Sequence, residues 1–112
     1  MADYSKKELA KLRHLAGEAY ERELGEHLAE LERSFAAWRR GELLSSELSN
    51  EIHQFHQHAA RDVSSSYKLP HPAMIVGRAI TAGILKESEV PESLRSKLQD
   101  EIAVFKRVKS AV

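Results

Sequence analysis

Residues 5–40 read SKKELAKLRHLAGEAYERELGEHLAELERSFAAWRR, and the fold turns on whether this run is one helix. In its second half Leu24, Leu28, Leu31, Phe35 and Trp38 recur at alternating steps of four and three, which keeps them on one stripe of a helix. Ser5 and Glu8 have the spacing of a capping box, in which each side chain accepts the other residue's amide proton. Gly41 ends the run after Arg39 and Arg40. Glycine takes the left-handed C′ conformation at little cost, and two cations suit the negative end of the helix dipole. Gly17 and Gly25 lie inside the run, each costing about 1 kcal/mol relative to alanine, and near Gly17 the stripe shifts phase from Leu9, Leu12 and Ala16 to Tyr20 and Leu24. The run is read as uninterrupted, a break at either glycine being the alternative.

Such a helix measures roughly 50 Å at 1.5 Å per residue, whereas a compact chain of this length has a radius of gyration of about 13 Å. It therefore overhangs its own domain. The stripe Leu24, Leu28, Leu31, Phe35 and Trp38 is expected to form the interface of a two-fold homodimer, the same patch meeting itself.

The remaining chain is helical in pattern throughout. With 112 residues, 42% hydrophobic and 30% charged, the composition is that of one ordinary globular domain rather than a disordered segment. Helices are expected over 5–40, 46–66, 72–86 and 91–109, giving an all-α, four-helix bundle within a single domain spanning 1–112. Ser45 is placed to cap the second, whose stripe is Leu48, Ile52, Phe55, Ala59 and Val63. Pro70 and Pro72 separate it from a third helix that is apolar nearly all round from Met74 to Leu85, which places that helix at the centre of the core. Gly77 and Gly83 there would let neighbouring helices approach closely. Arg78, its lone charge, needs either water or an acid such as Asp62 or Glu51. Pro91 opens the last helix, with Leu94, Leu98, Ile102, Phe105 and Val108 as its stripe.

Charge and composition exclude several function classes. The formal net charge is zero, so no global field draws the chain to nucleic acid or anionic lipid. There is no cysteine, hence no disulfide, thiol nucleophile or thiolate metal site. No apolar run reaches the ~20 residues that span a bilayer, and no signal peptide is visible, so a cytoplasmic protein is expected. From Glu18 to Glu32 six glutamates face Arg22 alone, an exposed acidic face or a dock for a basic segment such as Lys106, Arg107 and Lys109.

Catalytic and metal signals are sparse. His53, His56 and His58 crowd the second helix, and His53 with His56, together with Glu47, could offer ligands to a metal. Two imidazoles do not make a site, however. None of the six histidines has a glutamate three residues before it, as a di-iron bundle requires, and HExxH is missing. His14 and His27, four residues from Glu18 and Glu23, read as surface pairs. Ser64, Ser65 and Ser66 carry no nucleophile-elbow signature, and no glycine-rich phosphate loop exists. No catalytic residue, metal or cofactor is therefore expected.

The segment Trp38-Arg39-Arg40-Gly41-Glu42-Leu43, followed by Glu47-Leu48 and Ile52-His53-Gln54-Phe55-His56, resembles a pattern in small all-helical bacterial proteins of uncharacterised function. The resemblance implies only such a protein and supplies no catalytic residue. It would gather Trp38, Glu47, His53 and His56 in a small polar pocket where the first two helices meet. The reading as a whole is a non-enzymatic, homodimeric helical module that binds a protein partner, as a regulator or the neutralising half of a toxin pair. Its rivals are a helical bundle with a His53, His56 and Glu47 metal or small-ligand site, acting as enzyme or sensor, and weak nucleic-acid binding through Arg39, Arg40, Lys106, Arg107 and Lys109.

Overall fold

A computed structural model describes residues 3–111, with Ser110 and Ala111 described by their backbone alone. Among the described residues every regular element is helical. The first helix, α1 (Lys6–Arg39), runs unbroken for 34 residues, through both Gly17 and Gly25. Its start is the capping box in full. The Ser5 amide donates to Glu8 Oε1 at 2.9 Å and the Glu8 amide to Ser5 Oγ at 3.1 Å. Its end is a Schellman turn around Gly41, whose φ is 79°. There Gly41 N–H donates to the Trp38 carbonyl and Glu42 N–H to that of Ala37, at 3.0 and 2.9 Å.

The chain divides into two compact units, one of residues up to Ala19 together with those from Tyr67 onward, the other of Tyr20–Ser66. In the first, the buried side chains of α1 are Leu12, Leu15, Ala16 and Ala19. They pack with α4 (Pro72–Thr81), α5 (Glu92–Lys97) and α6 (Gln99–Ala111) into one core that also holds Leu85, Val90, Leu94, Leu98 and Ile102. The first half of the helix thus supplies the core, although the second half has the longer apolar stripe.

Helix α4 is central, as its apolar composition predicts, with Ala73, Ile75, Val76, Gly77 and Ala79 buried. It stops at Thr81 rather than near 86. Gly83, at φ 79°, is the C′ residue of a second Schellman turn, with Gly83 N–H on the Ile80 carbonyl and Ile84 N–H on that of Ala79. Its role is to end the helix and not, as the sequence suggested, to admit a neighbour. Gly77 does admit one: a Cβ there would lie 2.8 Å from Glu101 Cβ. The Arg78 guanidinium lies over the Tyr67 ring, 5.7 Å from its centre.

The helix expected over 91–109 is divided. Leu98, fully buried, sits at φ −84°, ψ −3° between α5 and α6, its N–H shared between the Leu94 and Arg95 carbonyls. Such a shared bond tightens a helical turn and bends the run. Lys97, just before it, ties this corner to the N-terminal segment. Its Nζ donates to both Glu8 oxygens at 2.8 and 3.0 Å and to the Asp3 carbonyl at 3.1 Å, while Tyr4 Oη donates to the Lys97 carbonyl at 3.3 Å.

The second unit sets the later half of α1 beside α2 (Ser45–Gln54), a π-helical turn (Phe55–Ala59) and α3 (Ala60–Ser66). Ser45 is not the cap. Leu44 holds that position with extended backbone, its N–H bonded to Glu47 Oε1 at 2.9 Å, and the Ser45 hydroxyl instead accepts Trp38 Nε1–H at 3.0 Å. The π turn carries the Ala60 N–H back to the Phe55 carbonyl. This has a packing consequence. Leu48 and Val63, the two buried positions, are fifteen residues apart, which leaves a phase error on the order of 60° in a regular α-helix, and a wider turn between them takes it up.

Candidate functional site

Two surfaces of the second unit concentrate chemistry, one polar and one apolar. The polar one is an open groove of about 340 Å³ between α1 and the α2–π run. From α1 come His27, Glu30, Leu31 and Ser34; from the other side Glu51, Gln54, Phe55, His58 and Ala59. The π turn supplies Phe55 and His58, and an inserted turn of this kind commonly re-aims side chains toward a site. Glu51 Oε2 is buried and accepts no hydrogen bond among the described residues. A buried acceptor left open costs about 1–3 kcal/mol. The Ser34 hydroxyl donates to the Glu30 carbonyl at 3.4 Å, so its proton is directed at backbone and not at a histidine base.

The apolar surface lies along α1 itself. Leu28 is 47%, Phe35 36% and Trp38 40% exposed, while Leu24 and Leu31 are half-buried. A shallow depression is lined by Leu28, Leu31, Glu32, Phe35, Ala36 and Arg39, all from this one helix. Of the stripe expected at the dimer interface, Leu28 and Phe35 are thus open to a partner, and Trp38 is held by its bond to Ser45.

The proposed cluster of Glu47, His53 and His56 does not assemble around a cavity. Glu47 is spent on the Leu44 amide, and His53 and His56 are exposed and do not line the groove beside α1. Among the described residues no three His, Asp or Glu side chains come together as a metal site would need. His27 and His58 instead share the groove. The π turn that carries His58 was not visible in a count of threes and fours. His14 pairs with Glu18 at 3.0 Å on an exposed face, as its spacing suggested.

The first unit holds a further candidate, a 250 Å³ apolar hollow lined by Met74, Asp100, Glu101, Val104 and Phe105. Glu101 is only 7% exposed and its Oε2 has no hydrogen-bonding partner among the described residues. Nearby, burial pushes the Tyr4 phenol up to about 12, helped by the carboxylates of Glu101, Glu8 and Asp100. The Lys97 ammonium, hydrogen-bonded to Glu8, holds that carboxyl below its usual range, with the Ser5 amide adding to the effect.

No helix among the described residues is long and apolar enough to cross a membrane. In comparison with known proteins, no family model, no curated protein and no solved structure matches this chain.

Proposed function

We propose that the chain is a non-enzymatic helical interaction module that works as a homodimer and presents its remaining surface to a protein partner, in a regulatory role. One observation carries this reading. Leu28 and Phe35 stand open on the same face of an unbroken helix whose other apolar half, Leu12 to Ala19, is buried. Apolar side chains at regular helical spacing on an exposed face mark an interaction surface rather than scattered surface residues.

Light scattering at micromolar concentration tests the proposal directly. A mass of two subunits is expected; a single-subunit mass at all accessible concentrations overturns it. Leu28→Asp should halve the mass while leaving the helical circular dichroism unchanged. A second reading, a small-ligand site, draws on the unpartnered Glu51 oxygen in a groove with His27 and His58. Elemental analysis of untagged protein and calorimetric titration with small amines would support it only if binding were lost in Glu51→Gln.

A further inference from the structure

In the first unit, the hollow lined by Met74, Asp100, Glu101, Val104 and Phe105 combines an apolar wall with a buried acid. Among the described residues Glu101 is the one charged side chain that is buried, at 7% exposed, and its Oε2 accepts no hydrogen bond. Its place is set by backbone, because α6 comes so close to α4 at Gly77 that a Cβ there would meet that of Glu101. The flanking buried positions hold Leu98 and Ile102, the residue types expected in a core, whereas glutamate is almost never enclosed unless something pairs with it. We propose that the hollow binds a small organic cation, a primary amine with a compact apolar body, whose ammonium pairs with the Glu101 carboxylate while the body lies among Met74, Val104 and Phe105.

A buried carboxylate needs donors or a counter-charge. Two donors in this part of the unit are committed elsewhere. Lys97 Nζ is bonded to Glu8 and to the Asp3 carbonyl, and the Tyr4 hydroxyl, whose proton the Glu101 charge helps to retain, donates to the Lys97 carbonyl. Asp100, exposed at the rim, adds a second negative charge, and the lining contains no lysine, arginine or histidine, so the hollow attracts a cation and repels an anion. A bare metal ion is a poor match. Two carboxylates among three apolar side chains supply too few ligands, and among the described residues no three His, Asp or Glu side chains gather as a metal needs. Size then sets the apolar body. A cavity of ~150 Å³ suffices for benzene, so 250 Å³ holds a single ring with a short ammonium arm. Phe105 offers such a ring an aromatic partner, and the unbranched Met74 adapts to its shape.

Every lining residue belongs to α4 or α6 of one chain, so the site is independent of the homodimer reading. Phenethylamine is the probe, with phenethyl alcohol as its neutral counterpart and phenylacetate as the anion. Binding is read from the methyl resonance of isotope-labelled Met74, one of two methionines in the chain. Phenethylamine should shift that resonance saturably and bind about tenfold more tightly than the alcohol, the charge-assisted hydrogen bond being the difference, and phenylacetate should leave it unmoved. Glu101→Gln keeps the shape of the side chain and should weaken amine binding by about tenfold without changing that of the alcohol. Val104→Lys gives a second reading at an exposed position, where a cation at the mouth should repel the amine without disturbing the core. Equal affinity for amine and alcohol, amine binding that persists at full strength in Glu101→Gln, or no Met74 shift at millimolar amine overturns the proposal. Circular dichroism matched to wild type excludes unfolding as the cause of any loss, and if Glu101→Gln does not fold, the amine-to-alcohol ratio and Val104→Lys still decide the matter.

Discussion

At Gly77 there is no room for a methyl group, because the Cβ would sit 2.8 Å from that of Glu101, on a helix already buried on that side. Gly77→Ala should therefore destabilise the fold by about 1–3 kcal/mol, the usual cost of overpacking, as a lower urea midpoint. Gly17→Ala should act in the opposite sense, by roughly 0.5–1 kcal/mol, since nothing lies within 4 Å of the added carbon and the residue is inside α1. Tyr4 gives a pH signature. Its folded pKa is raised from 10.0 to about 12, so the stabilisation of the neutral phenol is complete below pH 10 and is lost as pH climbs toward 12. Wild type should thus lose stability relative to Tyr4→Phe over that alkaline window in urea melts taken along a pH series. Glu8 behaves inversely. Its lowered pKa means that the Lys97 pair stabilises above the ordinary carboxylate value of about 4.3 and fails as acid protonates it.

Among the elements, α4 owes its start to His71, whose Nδ1 accepts the Ala73 amide at 3.0 Å, with Pro72 following as the first helical residue. His71→Ala should cost about 0.5–2 kcal/mol, measurable by thermal melting. Serine, threonine, aspartate and asparagine are the usual cap signals, so a histidine in that role escapes a search of the sequence. The helical character of the chain, the unbroken α1, its Ser5–Glu8 box and its Gly41 stop were all legible, because each depends on chemistry within a few residues. What stayed hidden depends on contacts from farther away. Gly77 and Gly83 look alike in sequence, yet one answers to the backbone of α6 and the other to a left-handed turn. The bend at Leu98 and the π turn at Phe55–Ala59 likewise answer to what must be buried, namely Leu98 itself and the pair Leu48 and Val63. The groove is lined by His27 of α1 and His58 of that turn, not by His53 or His56.

For the molecule as a whole, the two halves of α1 should respond differently to substitution. Leu98→Ala, in the first unit's core, should cost about 2–5 kcal/mol in chemical denaturation, with no change in subunit number in the folded protein. A charged residue at Leu28 should change subunit number while sparing the fold. The separation follows from burial, since Leu98 is fully enclosed and Leu28 about half exposed. Lys97 grips Glu8 across 89 positions of the chain, and Leu12 and Leu15 are buried in one cluster with Leu94, Leu98 and Ile102. A ribosome adding roughly 5–20 residues per second therefore exposes the opening leucines for several seconds before their cover is made. The leucines of the first half of α1 are thus vulnerable until α5 and α6 have been made.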